Sequence, residues 1–374
     1  MEVQNHLALW RSKRGLGATQ LSAMVGVSRQ SIYDIESGNY VPNTAVSLRL
    51  AQVLEATVEE LFQIVPEEKV PAEVLEVTVL GDTAEMAEGQ PLRLCDVNGN
   101  IVAIAPEPGR WGLSPTDALL ITPLKNPKKI QNATVQVISN EWKKSDRIVL
   151  AGCDPSASIL AHILQLQGCE LVIAYENSTH SLELLQQGLV HIAGTHMAEK
   201  ASDKADLLPI TQMFGRKSVA VISYALWQEG LLVAKGNPKR INGIEDLARE
   251  NVCITNREPG AGCHRLLDEM LATHKIASGS VRGYDRVTLG HLPAGRLVQS
   301  GAVDSCISTQ AVARSLGLEF VPLQQKPYQL VLRRSQLDLP PVQTLLSTLS
   351  LASFRREMEA CTGYNLRNSG DRII

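Results

Sequence analysis

Apolar residues recur three or four apart through the first 65 positions: Leu7 and Trp10, Leu21 and Val25, Ile32 and Ile35, then Leu50, Val53 and Leu54. That spacing lines one face of successive helices and predicts a small helical bundle. Thr19 is placed to N-cap a helix running to Val25, and Gly26 to end it, with Val27 turned inward. Ser28 then caps a second helix over residues 29 to about 37, which Gly38 stops. Two short helices joined by a glycine-containing turn form the helix-turn-helix pattern. After residue 65 the period changes. PEEKVPAEV is polar with two prolines and reads as a linker; VLEVTVL, PLRLCDV, NIVAIAP, ALLITPL and ATVQVIS follow as short strands. Asn98-Gly99 sits between two of them as a hairpin signal. Residues 66–145 are therefore expected to be a linker and small β-rich module, suited to coupling or dimerisation. From Arg147 onward strand, loop and helix alternate: IVLA, GCDPS and ASILAHILQLQ, then ELVIAY, SLELLQQ and VHIA. This predicts an α/β domain over 146–374 with a mainly parallel sheet. Ligands of such sheets lie beyond the carboxyl ends of strands, where the loops 152–156 and 194–197 fall.

Composition narrows the setting. The 374 residues suffice for two or three domains, and 44% hydrophobic content with mixed charge is that of a globular protein. A net charge of −3 gives no global attraction to nucleic acid, so DNA contact requires a local patch. Seven scattered cysteines without a CxxC pair argue for a reducing compartment rather than a disulfide framework. No apolar run reaches about 18 residues and MEVQNHLALWRSKRG lacks a secretory core, so a cytoplasmic protein with no membrane partner is expected.

The N-terminal pattern Arg14, Thr19-Gln20, Leu21, Gly26-Val27-Ser28, Ile32, Glu36 and Gly38 resembles the phage-repressor (Cro, or XRE) class of helix-turn-helix domains, and LRLAQVLEATVEELF resembles that family's last helices. With Ile32 and Ile35 in the core, Ser28, Arg29, Gln30, Ser31 and Tyr33 face outward or flank the second helix. Gln pairs bidentately with adenine, and Arg with guanine or phosphate. Gln20, opening the preceding helix with Thr19, suits a phosphate, and Arg11, Lys13 and Arg14 suit backbone contacts. The segment itself carries 5 basic against 6 acidic residues, which implies weak binding by one unit and a homodimer on a double-stranded operator.

The stretches SYALWQEGLLVAKGNPKRINGIEDLA and NREPGAGCHRLLDEML resemble type II solute-binding proteins at the entry to their second lobe. The likeness is greatest to the periplasmic-binding-protein-like domain attached to helix-turn-helix regulators and molybdopterin-biosynthesis proteins. It is carried by Gly194-Thr195-His196, Arg257, Gly260 and Gly262, His291, Gly301 with Asp304, Phe320-Val321-Pro322-Leu323, Tyr328 and Gly363-Tyr364, over about residues 147–371. The resemblance implies a multidomain chain ending in a two-lobed α/β domain that senses a small anionic molecule, a molybdate-like oxyanion or molybdenum-cofactor-related metabolite, without turnover and without a cofactor. Arg257 and the turn of Gly260, Ala261 and Gly262 would face Cys153, Asp154, Ser156, Thr195 and His196, with Cys263, His264, His291 and Asp304 close by. Ala261, Cys263 and His264 stand where the family has Ser, Thr and Arg, which weakens its anion cradle. Asp154 before Pro155 equally suits an N-cap, His196 and His291 equally suit structural roles, and Asp304 suits a turn or interlobe contact. Cys153, Cys263, His196 and His264 raise a second reading, a metal or thiol sensor, although their spacing matches no metal signature. A Cys153–His196 nucleophile and base is a third, and no P-loop, GxGxxG, HExxH or GxSxG motif accompanies it.

Overall fold

The computed structural model describes residues 2–65, 73–81, 86–106, 115–124, 130–144, 146–196 and 207–374. The chain forms two compact units, residues 1–71 and 72–374. Most of the expected linker, at 66–72, and Met197 lie outside the described residues.

The first unit is helical, with α1 (Leu7–Lys13), α2 (Ala18–Val25), α3 (Arg29–Glu36), α4 (Thr44–Leu54) and α5 (Val58–Leu61). Leu7, Leu21, Val25, Ile32, Ile35, Leu50, Leu54 and Leu61 form its core, with Trp10 and Val53 packed against them. The amphipathic spacing had placed nearly all of these. Two local readings change. The N-cap of α2 is Gly17, not Thr19, and Gln20 Oε1 accepts the Gly17 N–H at 2.9 Å, so Thr19 lies inside the helix. The ends of the unit also pair as antiparallel strands, β1 (Glu2–Asn5) with β2 (Phe62–Val65). Ser28 caps α3 as expected, accepting from Ser31 N at 2.9 Å, and Gly26 takes the left-handed φ of 75° that ends α2.

In the second unit, β3 (Val74–Leu80), β4 (Pro91–Val97), β5 (Asn100–Ile104), β6 (Ala118–Leu120) and β7 (Ile130–Val137) close a barrel in the order β3-β5-β4-β6-β7. Asn98 and Gly99 make the β4–β5 turn with φ of 55° and 84°, the backbone that Asn-Gly tolerates best. After α6 (Glu141–Lys144) the α/β region begins with β8 (Asp146–Gly152), α7 (Ala157–Leu166), β9 (Cys169–Tyr175), α8 (Ser178–Gln186), β10 (Ile192–Thr195) and α9 (Leu208–Phe214). The barrel is not a separate bead. Its Leu80, Cys95, Val97, Val102 and Ile104 share one apolar core with Val149, Val172, Leu184 and Val190. A buried ionic network joins them too: Arg147, on β8, meets Asp117 Oδ2 at 2.7 Å and Glu170 Oε2 at 2.7 Å, and Arg93 pairs with Asp117 and Glu170.

Two 15-residue strands, β11 (Val219–Val233) and, later in the chain, β15 (Glu319–Arg333), run antiparallel through both lobes. Between them lie β12 (Asn256–Arg257), α10 (Gly262–Thr273), β13 (Val287–Thr288), α11 (His291–Gln299), β14 (Ser305–Thr309) and α12 (Gln310–Leu316), which build the second lobe. The chain then returns to the first lobe with α13 (Pro340–Thr348), α14 (Ala352–Ala360) and β16 (Tyr364–Asn365). The sheet order is β14-β11-β15-β10-β8-β9, with β16 on β11. Only β8, β9 and β10 are parallel, so the sheet is mixed rather than mainly parallel. The reason is the pair of long strands: they cross between lobes by extension and pair antiparallel, without helical crossovers. Register shifts at Ser223/Ala225 and Glu229/Gly230 mark where this ribbon bends. Among the described residues no helix is long and apolar enough to cross a membrane.

Candidate functional site

On the first unit, α3 presents Arg29, Gln30 and Tyr33 to solvent, with Ser28 exposed ahead of them and Ser31 half-buried. Each long side chain is steadied one turn on: Arg29 Nη2 donates to Tyr33 OH at 2.9 Å, and Gln30 Nε2 donates to Asp34 Oδ1 at 2.9 Å. Thr19 and Gln20 are exposed at the start of α2. Arg14 is spent differently from expectation. Its guanidinium donates to the carbonyls of Leu54 and Glu55 and pairs with Glu55 at 3.0 Å, which closes the C-terminus of α4. Arg11 is likewise held by Glu36 through two hydrogen bonds of 2.6 and 3.0 Å. Thr19, Gln20, Ser28, Arg29, Gln30 and Tyr33 remain exposed on α2 and α3, and Lys13 on α1.

The second candidate site is the seam between the two lobes. Loop 152–156 ends β8, and β10 runs into His196, as the α/β alternation implied. From the other lobe comes the turn of Gly260, Ala261 and Gly262, which opens α10. The lobes touch here: Thr179 Oγ1 donates to Gly260 O at 3.4 Å, and a Cβ on Gly262 would sit 2.1 Å from His196 Cε1. The His196 ring lies 5.0 Å from Trp227 and 6.3 Å from Tyr328, and its Nδ1 is 3.4 Å from Glu229 Oε1. The hydroxyl of Tyr328 is wedged between Gly152 and Gly194, where any Cβ would come within 2.5 and 2.1 Å of it. Thr195 is fully buried beside them.

Most of the expected residues do converge on this seam, with different partners. Arg257 is buried, and both Nε and Nη2 bond Glu258, at 2.8 and 2.9 Å, so its charge is already balanced; only Nη1 lacks a partner. Asp154 serves locally as a turn residue, accepting from Ser156 N at 2.9 Å, and also accepts from Tyr364 OH at 2.6 Å, while Ser156 Oγ meets Tyr224 OH at 2.9 Å. Cys263 Sγ lies 3.5 Å from Glu229 Oε1 and 3.9 Å from His291 Nδ1, and His291 also meets Ser308 at 3.2 Å. His264 turns back onto the Arg257 carbonyl at 2.7 Å. Asp304 does not take part. Its carboxylate accepts Cys253 N at 2.8 Å and lies 3.8 Å from Lys239, which makes it a loop brace.

Burial sets the protonation states. It pushes the Cys153 thiol up to about 12, and Cys263 well above the usual thiol range. It pulls His196 down to about 3, helped by Arg265 and Arg257, and His291 well below an ordinary imidazole. Thiol and imidazole are thus both neutral, the opposite of an activated thiolate–imidazolium pair. Among the described residues no group of three or more His, Cys, Asp or Glu is arranged to hold a metal. Burial also raises the Asp154 carboxyl to about 6, against the hydrogen bonds from Tyr364 and Ser156, and raises Glu229.

Sequence reasoning passed over Trp227, Glu229, Asn256 and Glu258. A signal existed for Glu229, the one charge in the otherwise uncharged 15-residue strand β11. The seam also concentrates buried polar atoms without a hydrogen-bond partner: Arg257 Nη1, Asn256 Nδ2 and Asp154 Oδ2, with Trp227 Nε1 in its aromatic wall. Leaving such an atom unpaired costs about 1–3 kcal/mol.

Comparison with known proteins agrees with this division. A helix-turn-helix domain model matches residues 5–62, and a PBP superfamily domain model matches residues 161–350. The uncharacterized protein YvgK of Bacillus subtilis is 28% identical over 253 residues, 67% of this chain and 81% of that one. An uncharacterized HTH-type transcriptional regulator of Archaeoglobus fulgidus is 36% identical over 60 residues, 16% of this chain and 86% of its own. Among solved structures, a putative phosphate ABC transporter substrate-binding protein with bound phosphate from Clostridium perfringens aligns with 12% identity and a TM-score of 0.45, over 58% of this chain and 98% of that chain. With the PBP superfamily model matched across half of the chain and the helix-turn-helix model before it, the chain belongs to the PBP superfamily and carries an N-terminal helix-turn-helix domain.

Proposed function

We propose that this protein is a ligand-responsive transcriptional regulator of the cytoplasm, which binds an operator through α2 and α3 and a small molecule in the seam between the lobes. The observation that carries the reading is the pairing of a DNA-reading helix with a lobed domain whose seam holds unpartnered buried donors. Arg257 Nη1, Asn256 Nδ2 and the N-terminus of the 12-residue helix α10 all offer positive potential to one part of a ligand. They suit an anionic or carbonyl group, molybdate among others, and single out no one oxyanion. Because Glu258 already balances Arg257, the ligand is held by directed hydrogen bonds more than by net charge. A metal or thiol sensor gains no support from neutral, buried thiols, and no reaction is proposed.

Two such units bound as a homodimer to a pseudo-palindrome would offset the weak charge of each reading head, and lobe closure would then set the spacing between heads. A coupling of about 1–3 kcal/mol between the two sites is enough to regulate. One experiment addresses both ends: operator binding and sedimentation of the wild type, Gln30→Ala and Arg257→Ala proteins. Gln30→Ala is expected to cost about 1–3 kcal/mol in discrimination at a single base position. Arg257→Ala is expected to bind operator as a dimer while losing the stabilisation that sodium sulfate or molybdate gives the wild type. Unchanged sequence preference in the first variant removes Gln30 from the interface. Full anion stabilisation in the second removes Arg257 from the site.

A further inference from the structure

Asp154 poses a problem that the anion-binding half of the seam does not solve. Its carboxylate is 1% exposed. Oδ1 is satisfied by Tyr364 OH and Ser156 N, whereas Oδ2 is, among the described residues, the one buried carboxylate oxygen without a hydrogen-bond partner. Arg257, the buried cation of the facing lobe, has two of its three nitrogens on Glu258. The second seam carboxylate, Glu229, is provided for within the chain by Gln324 Nε2 at 2.7 Å, His196 and Cys263. A buried ionised carboxylate left without a counter-charge costs several kcal/mol. Among the described residues nothing supplies that counter-charge to Oδ2.

We propose that the Asp154 end of the seam binds a protonated amine, so that the molecule sensed carries a cationic nitrogen at this end and a hydrogen-bond acceptor at the Arg257 and Asn256 end. This inference rests on the seam being the ligand site. The surroundings fit a cation. Tyr224, Tyr328 and Tyr364 stand around the carboxylate; Tyr224 and Tyr328 pack with ring centroids 5.8 Å apart, and Trp227 lies 4.9 Å from Tyr328. Aromatic faces attract a cation and repel nothing that an amine carries. An oxyanion placed against Oδ2 would instead meet like charge. The polarity of the seam is thus divided, acceptor from the 152–156 loop and donors from β12.

Protonation gives the proposal a signature. Burial raises Asp154 to about 6, so the group is mostly ionised at pH 7.5 and mostly neutral at pH 5. The other titratable groups that face it are the phenols of Tyr224, Tyr328 and Tyr364 and the thiols of Cys153 and Cys361. Burial raises every one of them, so all stay neutral across that interval. Amine binding should accordingly fail as pH falls through about 6.

The test uses the full chain and backbone hydrogen exchange in residues 152–160 and 256–264. Methylammonium chloride is compared with sodium chloride at equal ionic strength, and sodium sulfate is run in parallel. Methylammonium is expected to protect 152–160 saturably at pH 7.5, with apparent affinity about tenfold lower at pH 5, and to give no protection in Asp154→Asn. The pH comparison within the wild type keeps the test decisive if that variant fails to fold. Sulfate protection of 256–264 without any methylammonium effect at 152–160 overturns the amine assignment and leaves the ligand seam standing. If neither ion protects either segment, the seam itself is not the ligand site. Equal methylammonium protection at both pH values, or in Asp154→Asn, also overturns the proposal.

Discussion

An Arg147→Ala protein is expected to be less stable than the wild type by about 3–5 kcal/mol, the usual consequence of removing one partner from a buried ion pair. Arg147 is the hub between the barrel and the first lobe. Its side chain bonds Asp117, Glu170 and the Leu94 carbonyl, and the side chains of Arg147 and Asp117 are each only 4% exposed. Arg93, 3.1 Å from Asp117, can still partner that carboxylate when Arg147 is lost, which favours the lower end of that range. Replacing both partners together, as Arg147→Met with Asp117→Leu, should recover only part of the loss: two desolvated charges disappear, but the buried Leu94 N–H loses its Asp117 acceptor and Arg93 keeps Glu170 alone. Urea unfolding of both variants checks this. A loss below about 1 kcal/mol in Arg147→Ala would mean that the shared apolar core alone holds the barrel to the lobe.

The second large effect is expected at Gly262, and it is local rather than global. A methyl group there would stand 2.1 Å from His196 Cε1 and 2.7 Å from Nδ1. His196 cannot step aside cheaply, being 3% exposed and flanked by Trp227 and Tyr328. Overpacking of this kind typically costs about 1–3 kcal/mol, and separating the lobes relieves it. Gly262→Ala should therefore raise hydrogen exchange at Gly260 and at Asn177–Thr179 by at least about tenfold, the equivalent of 1.4 kcal/mol. Adding His196→Ala should restore the closed seam by making room. If Gly262→Ala exchanges like the wild type, the contact between the lobes is softer than its geometry indicates.

The legible parts of the chain were those in which local pattern and tertiary need coincide. Ser28, Gly26 and the Ile32/Ile35 face announced α3 because a cap, a left-handed stop and a buried stripe all act within one or two turns. The cap of α2 was misread because Gly17 has no side chain to advertise it, and the signal lay in Gln20 reaching back. The Asn98-Gly99 hairpin was plain, but closure of the barrel depends on β3 pairing with both β5 and β7, which no local stretch encodes. At the seam, glycines and Arg257 could be placed from the loop they share. The carboxylates that redirect them could not. Glu258 neutralises Arg257 from the next position, and Tyr364 reaches Asp154 across 210 residues of sequence.

The long strand pair also governs how the protein is made. β10 pairs with β15, and β15 leaves the ribosome more than 130 residues after β10 has emerged. At ordinary translation speeds of about 5–20 residues per second, that interval is roughly 7–28 s. Throughout it the nascent β8, β9 and β10 have no β15 beside them, and the β10 edge is open to pairing with another chain. In the helical first unit the corresponding wait, of β1 for β2, is less than half as long. The hazard of aggregation during synthesis is thus greatest in the α/β region, and a chaperone that shelters the β10 edge would raise the yield of the whole chain by acting on that one interval.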